Sequence, residues 1–380
     1  MRIGIDCRMY SDAFTGIGKY AYELVEWLQD NDNVNEYVLF FNEPQFTRFE
    51  PRNPRFRKAL ANVGHYSLKE QLVFPRILAR EKCDLVHFTH FNAPLLWRGP
   101  TVVTVHDLTL SFYPGKKMTA WWQRLAYRLT LRTVVRRARA IIAISKHTRK
   151  DLLDVLGIPS ERVQVIYNGI DARPFRAARA DAEKRAEVLK KYRLEPGYLL
   201  YAGVWRNHKN IVRLVRAVDL LRKRGIPARL VLAGKEDPTY HEVRDTIKRL
   251  DLSALVRPLG YVESADLPFL YAGAAALAFP SLYEGFGLPV LEAMAAGIPV
   301  ACSKTSSLPE VAGENGALFF DPFREESIAD ALVEVLKNET LRSKLVAAGT
   351  SRVQDFSWST MGQRTLAAYR DALEKRDDRA

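Results

Sequence analysis

The segment ALAFPSLYEGFGLPVLEAMAAGIPVAC, residues 276–302, holds one complete β-α-β unit and decides the fold class. Apolar residues run without alternation through Ala276–Pro280 and Pro299–Cys302, as in parallel strands that are buried on both faces. A helix is predicted to begin near Leu288, because the proline that follows it suits the first helical turn. The segment therefore predicts two parallel strands joined by a loop and a helix.

The same pattern repeats outward along the chain, where short apolar runs alternate with helical patterns. The predicted strands are Arg2–Cys7, Tyr37–Asn42, Leu85–Thr89, Thr101–His106, Ala140–Ser145, Val163–Tyr167, Tyr198–Gly203, Arg229–Ala233, Val256–Tyr261, Ala276–Pro280, Pro299–Cys302 and Ala317–Phe320. Repeated β-α units imply doubly wound parallel sheets with right-handed crossovers. The fold class is therefore α/β, with two Rossmann-like sheets in series.

The chain is predicted to divide near the turn signal Asn168-Gly169. We expect an N-terminal Rossmann-like domain over residues 1–170 and a second Rossmann-like domain over residues 171–356. A terminal helix over 357–380 would pack back onto the first domain. Ligands of such sheets bind outside the carboxyl ends of the strands, so two facing sheets would place the main site in the cleft between them.

The composition excludes several classes of protein. Hydrophobic residues make up 47% and charged residues 27% of the chain, which is typical of globular proteins. The apolar stretches are shorter than the ~18 residues that span a bilayer, and the N-terminus lacks the apolar core of a signal peptide. The 3 cysteines have no metal-ligand spacing, so we expect a reducing compartment and a cytoplasmic protein.

The positive charge is concentrated in the first half of the chain. The formal net charge is +13, and residues 108–150 contain eleven Lys or Arg residues and no Asp or Glu. Such a local excess favours an anionic partner, which could be phosphates, a membrane surface or nucleic acid. A basic face that contacts only water is the alternative.

Two carboxylates flank the loop and helix of the opening segment. Glu284 lies in the loop, and Glu292 lies about one turn into the apolar helix. The amides at a helix N-terminus favour anions and acceptor groups, and a carboxylate in an apolar helix must find donors, for which sugar or ribose hydroxyls are suitable. On spacing alone, an exposed helix glutamate and a loop glutamate explain the pattern equally well.

Glu284 and Glu292, within EGFGLPVLEAMAAGIPV, resemble the signature of family 4 retaining glycosyltransferases. The resemblance implies two Rossmann-like domains facing across a cleft (the GT-B fold) and a nucleotide-diphosphate-sugar donor. The domain over residues 1–170 would then lie on the acceptor side, and the domain over residues 171–356 would bind the nucleotide sugar. It implies that Glu292 binds the ribose hydroxyls of the donor. Glu284 and the segment formed by Gly285, Phe286, Gly287 and Leu288 would hold the donor sugar and phosphate.

A second segment, GVWRNHKN at residues 203–210, carries cations where a helix begins. Cations are unfavourable at a helix N-terminus unless an anion is bound there, so Arg206 and Lys209 suit a diphosphate. Loop residues that contact only water are the alternative. The resemblance implies that both bind the donor diphosphate, although this chain has His208 where many relatives carry an arginine.

Two further sites lie in the first half. Gly16 and Gly18 open a helix after the first strand and formally match the GxGxxA dinucleotide motif, although the strand ends too early for that motif. The resemblance implies instead that this glycine loop approaches the donor phosphate and the acceptor. His106 ends a predicted strand and Asp107 follows it. The resemblance implies that His106 contacts the donor sugar, and Asp107 beside it is expected to bind substrate.

A basic helix is predicted over Thr119–Arg139. Arg124, Arg128, Arg132 and Arg136 recur every four residues, and like charges at that spacing repel unless they face anions. The adjacent Trp121 and Trp122 suit a lipid interface. We therefore add the hypothesis of a peripheral contact with the anionic inner face of the membrane, and a helix that only covers the sheet is the alternative.

The resemblance therefore implies a retaining, metal-independent hexosyltransferase without a cofactor, which we expect to act in cell-surface polysaccharide biosynthesis. From the same resemblance we expect GDP-mannose as the first-choice donor, followed by another GDP-sugar or a UDP-sugar, and a glycan, free or linked to a lipid diphosphate, as the acceptor. No metal site is expected, since Asp30-Asn31-Asp32 matches a DxD metal motif only by chance. An NAD-dependent oxidoreductase, based on Gly16 and Gly18, and a nucleic-acid-binding protein, based on the charge, are the alternatives.

Overall fold

The computed structural model describes residues 1–11, 16–115, 120–226 and 228–374. Thr15 of the predicted glycine loop, Thr119 of the predicted basic helix and residues 375–380 of the predicted terminal helix lie outside these ranges. The strands are β1 (Arg2–Asp6), β2 (Glu36–Phe41), β3 (Phe56–Leu60), β4 (Leu85–Phe88), β5 (Thr101–Val105), β6 (Ala140–Ala143), β7 (Val163–Val165), β8 (Tyr198–Ala202), β9 (Leu230–Ala233), β10 (Val256–Gly260), β11 (Ala274–Phe279), β12 (Val300–Ser303) and β13 (Leu318–Phe320).

Helices separate most of the strands. They are α1 (Gly16–Asn31), α2 (Gln45–Arg48), α3 (Leu68–Leu72), α4 (Phe74–Arg80), α5 (Thr109–Phe112), α6 (Trp121–Arg137), α7 (Lys146–Leu156), α8 (Arg173–Ala180), α9 (Ala182–Lys191), α10 (Ile211–Lys223), α11 (Glu242–Arg249), α12 (Leu267–Gly273), α13 (Leu288–Ala295), α14 (Leu308–Ala312), α15 (Glu325–Lys337), α16 (Glu339–Arg352) and α17 (Trp358–Glu374). Short 3₁₀ turns occur at Ser160–Arg162, Asn207–Lys209 and Val353–Asp355. None of the described helices is long and apolar enough to cross a membrane.

The strands form two parallel sheets, which belong to two compact units. The first unit takes its described residues from 1–111, 118–169 and 357–380, and the second takes them from 112–117 and 170–356. The first sheet has the order β3-β2-β1-β4-β5-β6-β7, and the second has the order β10-β9-β8-β11-β12-β13. Both orders reverse beside the first strand of the unit, as in doubly wound folds. The predicted α/β class with two Rossmann-like sheets is confirmed.

The first sheet is buried on both faces because its strands are apolar at consecutive positions. Ile3 and Ile5 pack on one face, together with residues of α1 and α17. Val38 and Phe40 pack on the opposite face, together with residues of α4 and α6. Alternate side chains of a strand point to opposite faces, so a run without polar positions fills both layers.

The start of the C-terminal helix α17 packs closely on α1. A Cβ added at Gly362 would lie 2.2 Å from the Trp27 ring, so only glycine allows the two helices to approach this closely. On the same helix, Met361, Ala368 and Tyr369 complete the core of the first unit.

Candidate functional site

The loop between β11 and α13 is held by two serines that follow β12. The Glu284 amide donates to Ser306 Oγ at 2.9 Å. Ser307 Oγ lies 2.9 Å from the Glu284 carbonyl oxygen and 2.8 Å from that of Phe286. The loop backbone is therefore fixed at the carboxyl edge of the second sheet, where ligands of doubly wound folds bind.

Gly287 makes the turn from this loop into α13. Its φ of +108° is one that side chains rarely adopt, and a Cβ here would lie 2.7 Å from Leu308 Cδ2. Gly285 is buried, and Leu288 is half-buried at the first position of the helix. Pro289 has no amide hydrogen, and the Val290 amide donates to the Gly287 carbonyl at 3.0 Å. This turn therefore offers an anion mainly the Leu288 amide and the positive end of the helix dipole.

Lys209 and Glu284, which are 75 positions apart in the sequence, form an ion pair. Lys209 Nζ lies 2.6 Å from Glu284 Oε1, and the side chains are 17% and 12% exposed. Both residues were predicted to bind the donor, but nothing in their spacing predicts that they contact each other. An anion that entered here would compete with Glu284 for the ammonium group.

The turn that carries Lys209 is fixed to the neighbouring strand ends. The His208 carbonyl accepts from the Leu282 amide at 2.8 Å. Asn210 has a φ of +59°, and its Nδ2 donates to the carbonyls of Pro280 at 3.1 Å and Pro322 at 2.8 Å. His208 and Asn210 therefore hold the turn that carries Lys209 in place.

Arg206 begins the same turn in an extended conformation, and its side chain is exposed. Its guanidinium pairs with no carboxylate of the described residues. Lys235 and Lys304, which belong to no recognised sequence motif, follow β9 and β12 at the same edge of the sheet. The carboxyl edge of the second sheet therefore carries a set of cations suited to an anionic ligand.

Glu292 lies in the first turns of α13 and is only 6% exposed. Its Oε2 accepts a hydrogen bond from the Tyr271 hydroxyl at 2.7 Å. Burial, followed by the charge of Glu292, raises the pKa of Tyr271 well above its usual value, so this hydroxyl stays protonated and donates. Tyr271 and Glu292 lie on different helices, and no sequence motif links them, so Tyr271 could not be predicted as a site residue.

The first unit places Gly16, Gly18 and His106 near the carboxyl edge of its own sheet. Gly16 is the exposed first residue of α1, and Gly18 is buried within it. His106 directly follows β5 and is 4% exposed. Its ring lies edge-on to Tyr20, with 5.0 Å between the centroids.

The protonation state of His106 follows from its surroundings. Burial lowers the pKa of its imidazole, which is therefore neutral near pH 7. Nε2 lies 2.8 Å from the Thr89 carbonyl oxygen, which can only accept, so Nε2 carries the proton. Nδ1 is then an acceptor, and this is the group that a sugar hydroxyl needs.

Asp107 has a local structural contact. Its Oδ1 accepts from the Thr109 amide at 2.8 Å, just where α5 begins. This hydrogen bond is of the type that stabilises helix starts, and the half-buried side chain has that function whether or not it also binds a ligand.

The DxD match is part of a structural network. Asp32 Oδ2 accepts from Asn35 Nδ2 at 2.6 Å and from the Tyr37 hydroxyl at 2.5 Å, and Asp30 pairs with Arg52 at 2.9 Å. Over the ranges that the structure describes, no group of three or more His, Cys, Asp or Glu side chains is placed to hold a metal ion.

The α6 face is the exposed side of α6, defined by Trp121, Trp122, Leu125 and Leu129 together with Arg124, Arg128, Arg132 and Arg136. The two tryptophans are 74% and 58% exposed, and the two leucines are 47% and 52% exposed. All four arginines are exposed. The face is therefore both apolar and basic, which is typical of helices that lie at a lipid surface.

Comparisons with known proteins find glycosyltransferase families over both halves of the chain. The family described as Glycosyltransferase Family 4 matches residues 14–173, and the family described as Glycosyl transferases group 1 matches residues 183–352. The O-antigen chain mannosyltransferase B of Escherichia coli is 31% identical, over 94% of this chain and 96% of its own length.

Solved structures show the same fold. The sucrose-phosphate synthase from Thermosynechococcus elongatus superposes with a TM-score of 0.79 at 21% identity, covering 99% of this chain and 100% of its own. Anabaena HepE, solved in complex with UDP-glucose, superposes with a TM-score of 0.73 at 18% identity, covering 97% and 99%. With two matching families and a relative similar along nearly its whole length, this chain belongs to the family 4 (group 1) glycosyltransferases and is a glycosyltransferase.

Proposed function

We propose that the chain is a retaining mannosyltransferase that transfers mannose from GDP-mannose to a growing cell-surface glycan. The observation that carries the proposal is the pair of Lys209 and Glu284 beside the N-terminus of α13. The name of the E. coli relative favours mannose as the sugar and a surface polysaccharide as the product. The UDP-glucose complex of HepE supports a nucleotide-sugar donor.

The second unit would bind the donor. Glu292, held by Tyr271, binds the ribose hydroxyls, and the amides of Gly285, Phe286, Gly287 and Leu288 approach the diphosphate. Lys209 exchanges its bond to Glu284 for one to a phosphate oxygen. Glu284 is thereby released and accepts hydrogen bonds from hydroxyls of the sugar.

The reaction then needs charge stabilisation rather than a nucleophile of the protein. The bond between the anomeric carbon and the diphosphate breaks, and the acceptor oxygen forms its bond on the same face of the sugar. The acceptor proton passes to the departing diphosphate. Arg206, Lys209 and the start of α13 stabilise the developing negative charge, and His106 Nδ1 accepts from a sugar hydroxyl.

The α6 face supports a lipid-linked acceptor. Its arginines attract anionic lipid, at roughly 1 kcal/mol for each basic residue near the surface, while Trp121 and Trp122 suit the interface. A peripheral contact of this kind would bring the enzyme to an acceptor carried on a lipid diphosphate at the inner face of the membrane.

The test is transfer from GDP-mannose to methyl glycosides, followed by proton NMR of the anomeric signal. We expect a product with the α-configuration of the donor, formed equally well in EDTA because cations of the protein neutralise the diphosphate. A β-linked product would contradict retention. A strict requirement for added Mg²⁺ or Mn²⁺ would contradict the proposed role of Arg206 and Lys209.

A further inference from the structure

Tyr66 combines a strained backbone with an exposed aromatic ring. Its φ is +58°, in the left-handed region that side chains avoid, and the residue is 59% exposed. Such a conformation persists only where neighbouring contacts hold it, and it is concentrated at functional sites. Tyr66 lies in the loop between β3 and α3, next to Ser67, which caps α3.

A buried network holds the Tyr66 backbone. Its amide donates to Glu70 Oε2 at 2.8 Å, and Glu70 has no exposed surface. Glu70 Oε1 accepts from Arg8 Nη1 at 2.7 Å and from Asn92 Nδ2 at 2.8 Å. Arg8 in turn donates to both carboxylate oxygens of Asp6, from Nε to Oδ1 and from Nη2 to Oδ2, at 2.8 Å each.

This network connects three strands. Asp6 ends β1, Arg8 follows it, and Asn92 lies in the segment after β4, while Glu70 belongs to α3 after β3. Buried ions contribute little net stability because their desolvation is costly. The network does fix one geometry, because every member has hydrogen-bonded partners, and that geometry includes the position of Tyr66.

The Tyr66 ring is also fixed at its hydroxyl. The oxygen lies 3.2 Å from His90 Nε2, and the His90 ring lies 6.2 Å, centroid to centroid, from the ring of His106. Burial lowers the pKa of His90 to about 3, so this imidazole is neutral. Tyr66 is therefore held both at its backbone amide and at its hydroxyl. His90 connects it to the His106 site at the carboxyl edge of the first sheet.

We propose that Tyr66 is the platform on which a hexose ring of the acceptor glycan stacks. This inference rests on the proposed function. An aromatic ring offers an apolar face to the C–H groups of a pyranose, and a ring held rigid before binding loses little entropy when the sugar arrives. Lys209, Glu284 and Glu292, which we assign to the donor, belong to the second unit. The first unit contributes His106 to the donor sugar and this aromatic surface to the acceptor.

The experiment compares Tyr66→Gly and Tyr66→Phe with the control Lys82→Gly. Lys82 is also exposed and has a φ of +48°, but it precedes β4 at the opposite edge of the sheet. Both glycine variants relieve the same strain, so both should fold and unfold at slightly higher urea concentration than the wild type.

The transfer assay uses methyl hexosides as acceptors and saturating GDP-mannose. We expect Tyr66→Gly to raise the acceptor KM ~10-fold or more, while Tyr66→Phe, which keeps the ring, stays within about 3-fold. The donor KM, and the hydrolysis of donor without acceptor, should not change in any variant. Lys82→Gly should behave as the wild type throughout.

Saturation-transfer NMR with methyl α-D-mannopyranoside provides a readout that does not depend on turnover. Its signal should fall in Tyr66→Gly alone, even if the wild type transfers no sugar and the proposed function is wrong. An unchanged acceptor KM and an unchanged NMR signal in Tyr66→Gly would overturn the inference. Loss of vesicle binding in Tyr66→Gly, with both readouts unchanged, would overturn it too and assign Tyr66 to a membrane surface.

Discussion

Lys209 and Glu284 form an ion pair that is largely shielded from solvent, with exposures of 17% and 12%. Lys209→Ala removes the cation that we assign to the donor diphosphate. We expect the affinity for GDP-mannose to fall by about 1.5–3 kcal/mol, the contribution typical of hydrogen bonds to charged groups. Calorimetry of the folded variant measures this loss.

Lys191→Ala is the matched control for Lys209→Ala. Lys191 belongs to α9 of the same unit, is 50% exposed and pairs with Asp266 at 2.7 Å. The substitution Lys191→Ala removes the same charge as Lys209→Ala but from a different surface, so the affinity for GDP-mannose should stay at the wild-type value. Equal losses in the two variants would mean that net charge, not the site, attracts the donor.

We assign Glu292 to the ribose hydroxyls of the donor, and nucleotide binding can distinguish this role from a purely structural one. The wild type should bind GDP more tightly than 2′,3′-dideoxy-GDP, because the carboxylate accepts from the ribose hydroxyls. Glu292→Ala should weaken GDP binding by about 1.5–3 kcal/mol and abolish the difference between the two nucleotides. Tyr271→Phe, which removes one donor to Oε2, should keep the difference. If Glu292→Ala still discriminates between the nucleotides, the ribose role is wrong.

At the scale of elements, α17 is tied to the first sheet through a buried imidazole. His87 in β4 lies 2.7 Å from the Tyr369 hydroxyl and 2.8 Å from Thr104 Oγ1, and it has no exposed surface. Burial, followed by the charge of His106, lowers the pKa of His87 from 6.5 to about 3. Between these two values the unfolded chain binds a proton that the folded chain excludes.

The stability of the first unit should therefore fall as the pH drops below 6.5. The expected contribution of His87 is about 1.4 kcal/mol per pH unit between pH 6 and 4. Urea unfolding of His87→Gln should show a slope shallower by that amount, because glutamine can hydrogen-bond but does not titrate. The control is His241→Gln, at an exposed histidine, which should keep the wild-type slope. Identical slopes in all three proteins would contradict the buried neutral state of His87.

The α6 face gives a prediction for membrane binding. Co-sedimentation with anionic vesicles should occur at low salt and weaken as salt rises, because salt screens exposed charges. Arg124→Gln, Arg128→Gln and Arg132→Gln together should reduce binding at least ~10-fold, given roughly 1 kcal/mol for each basic residue.

A control with the same loss of charge isolates the α6 face. Arg176, Lys184 and Lys190 are exposed on α8 and α9, and their triple change to Gln should leave vesicle binding intact. If the wild type does not bind anionic vesicles, or if both triple variants lose binding equally, α6 is only a helix that covers the sheet.

The sequence predicted twelve of the thirteen strands found in the described residues, because buried parallel strands are uniformly apolar. The exception is β3 at the edge of the first sheet. Only Phe56 and Ala59 of this strand are buried, and Arg57 and Lys58 interrupt the apolar run. An edge strand has one neighbour and more solvent, so its pattern does not stand out from that of a polar loop.

At the scale of the whole molecule, the site depends on contacts that no local pattern contains. The sequence motifs predicted Glu284, Glu292 and Lys209 separately. Tyr271, the partner of Glu292, lies on α12 before β11, whereas Glu292 lies on α13 after it. The ion pair between Lys209 and Glu284 likewise joins the turn after β8 to the loop after β11, which are neighbours only because the order places β8 beside β11.

The measurement that tests the central claim most directly is a calorimetric titration of the whole protein with GDP-mannose, UDP-glucose, NAD and a DNA oligonucleotide, in EDTA. We predict saturable binding of one GDP-mannose per chain, weaker binding of UDP-glucose, and no binding of NAD or DNA. In Lys209→Ala the GDP-mannose binding should weaken, while in Lys191→Ala it should not. Binding of NAD or DNA without binding of either nucleotide sugar would contradict the proposed donor site and with it the proposed function.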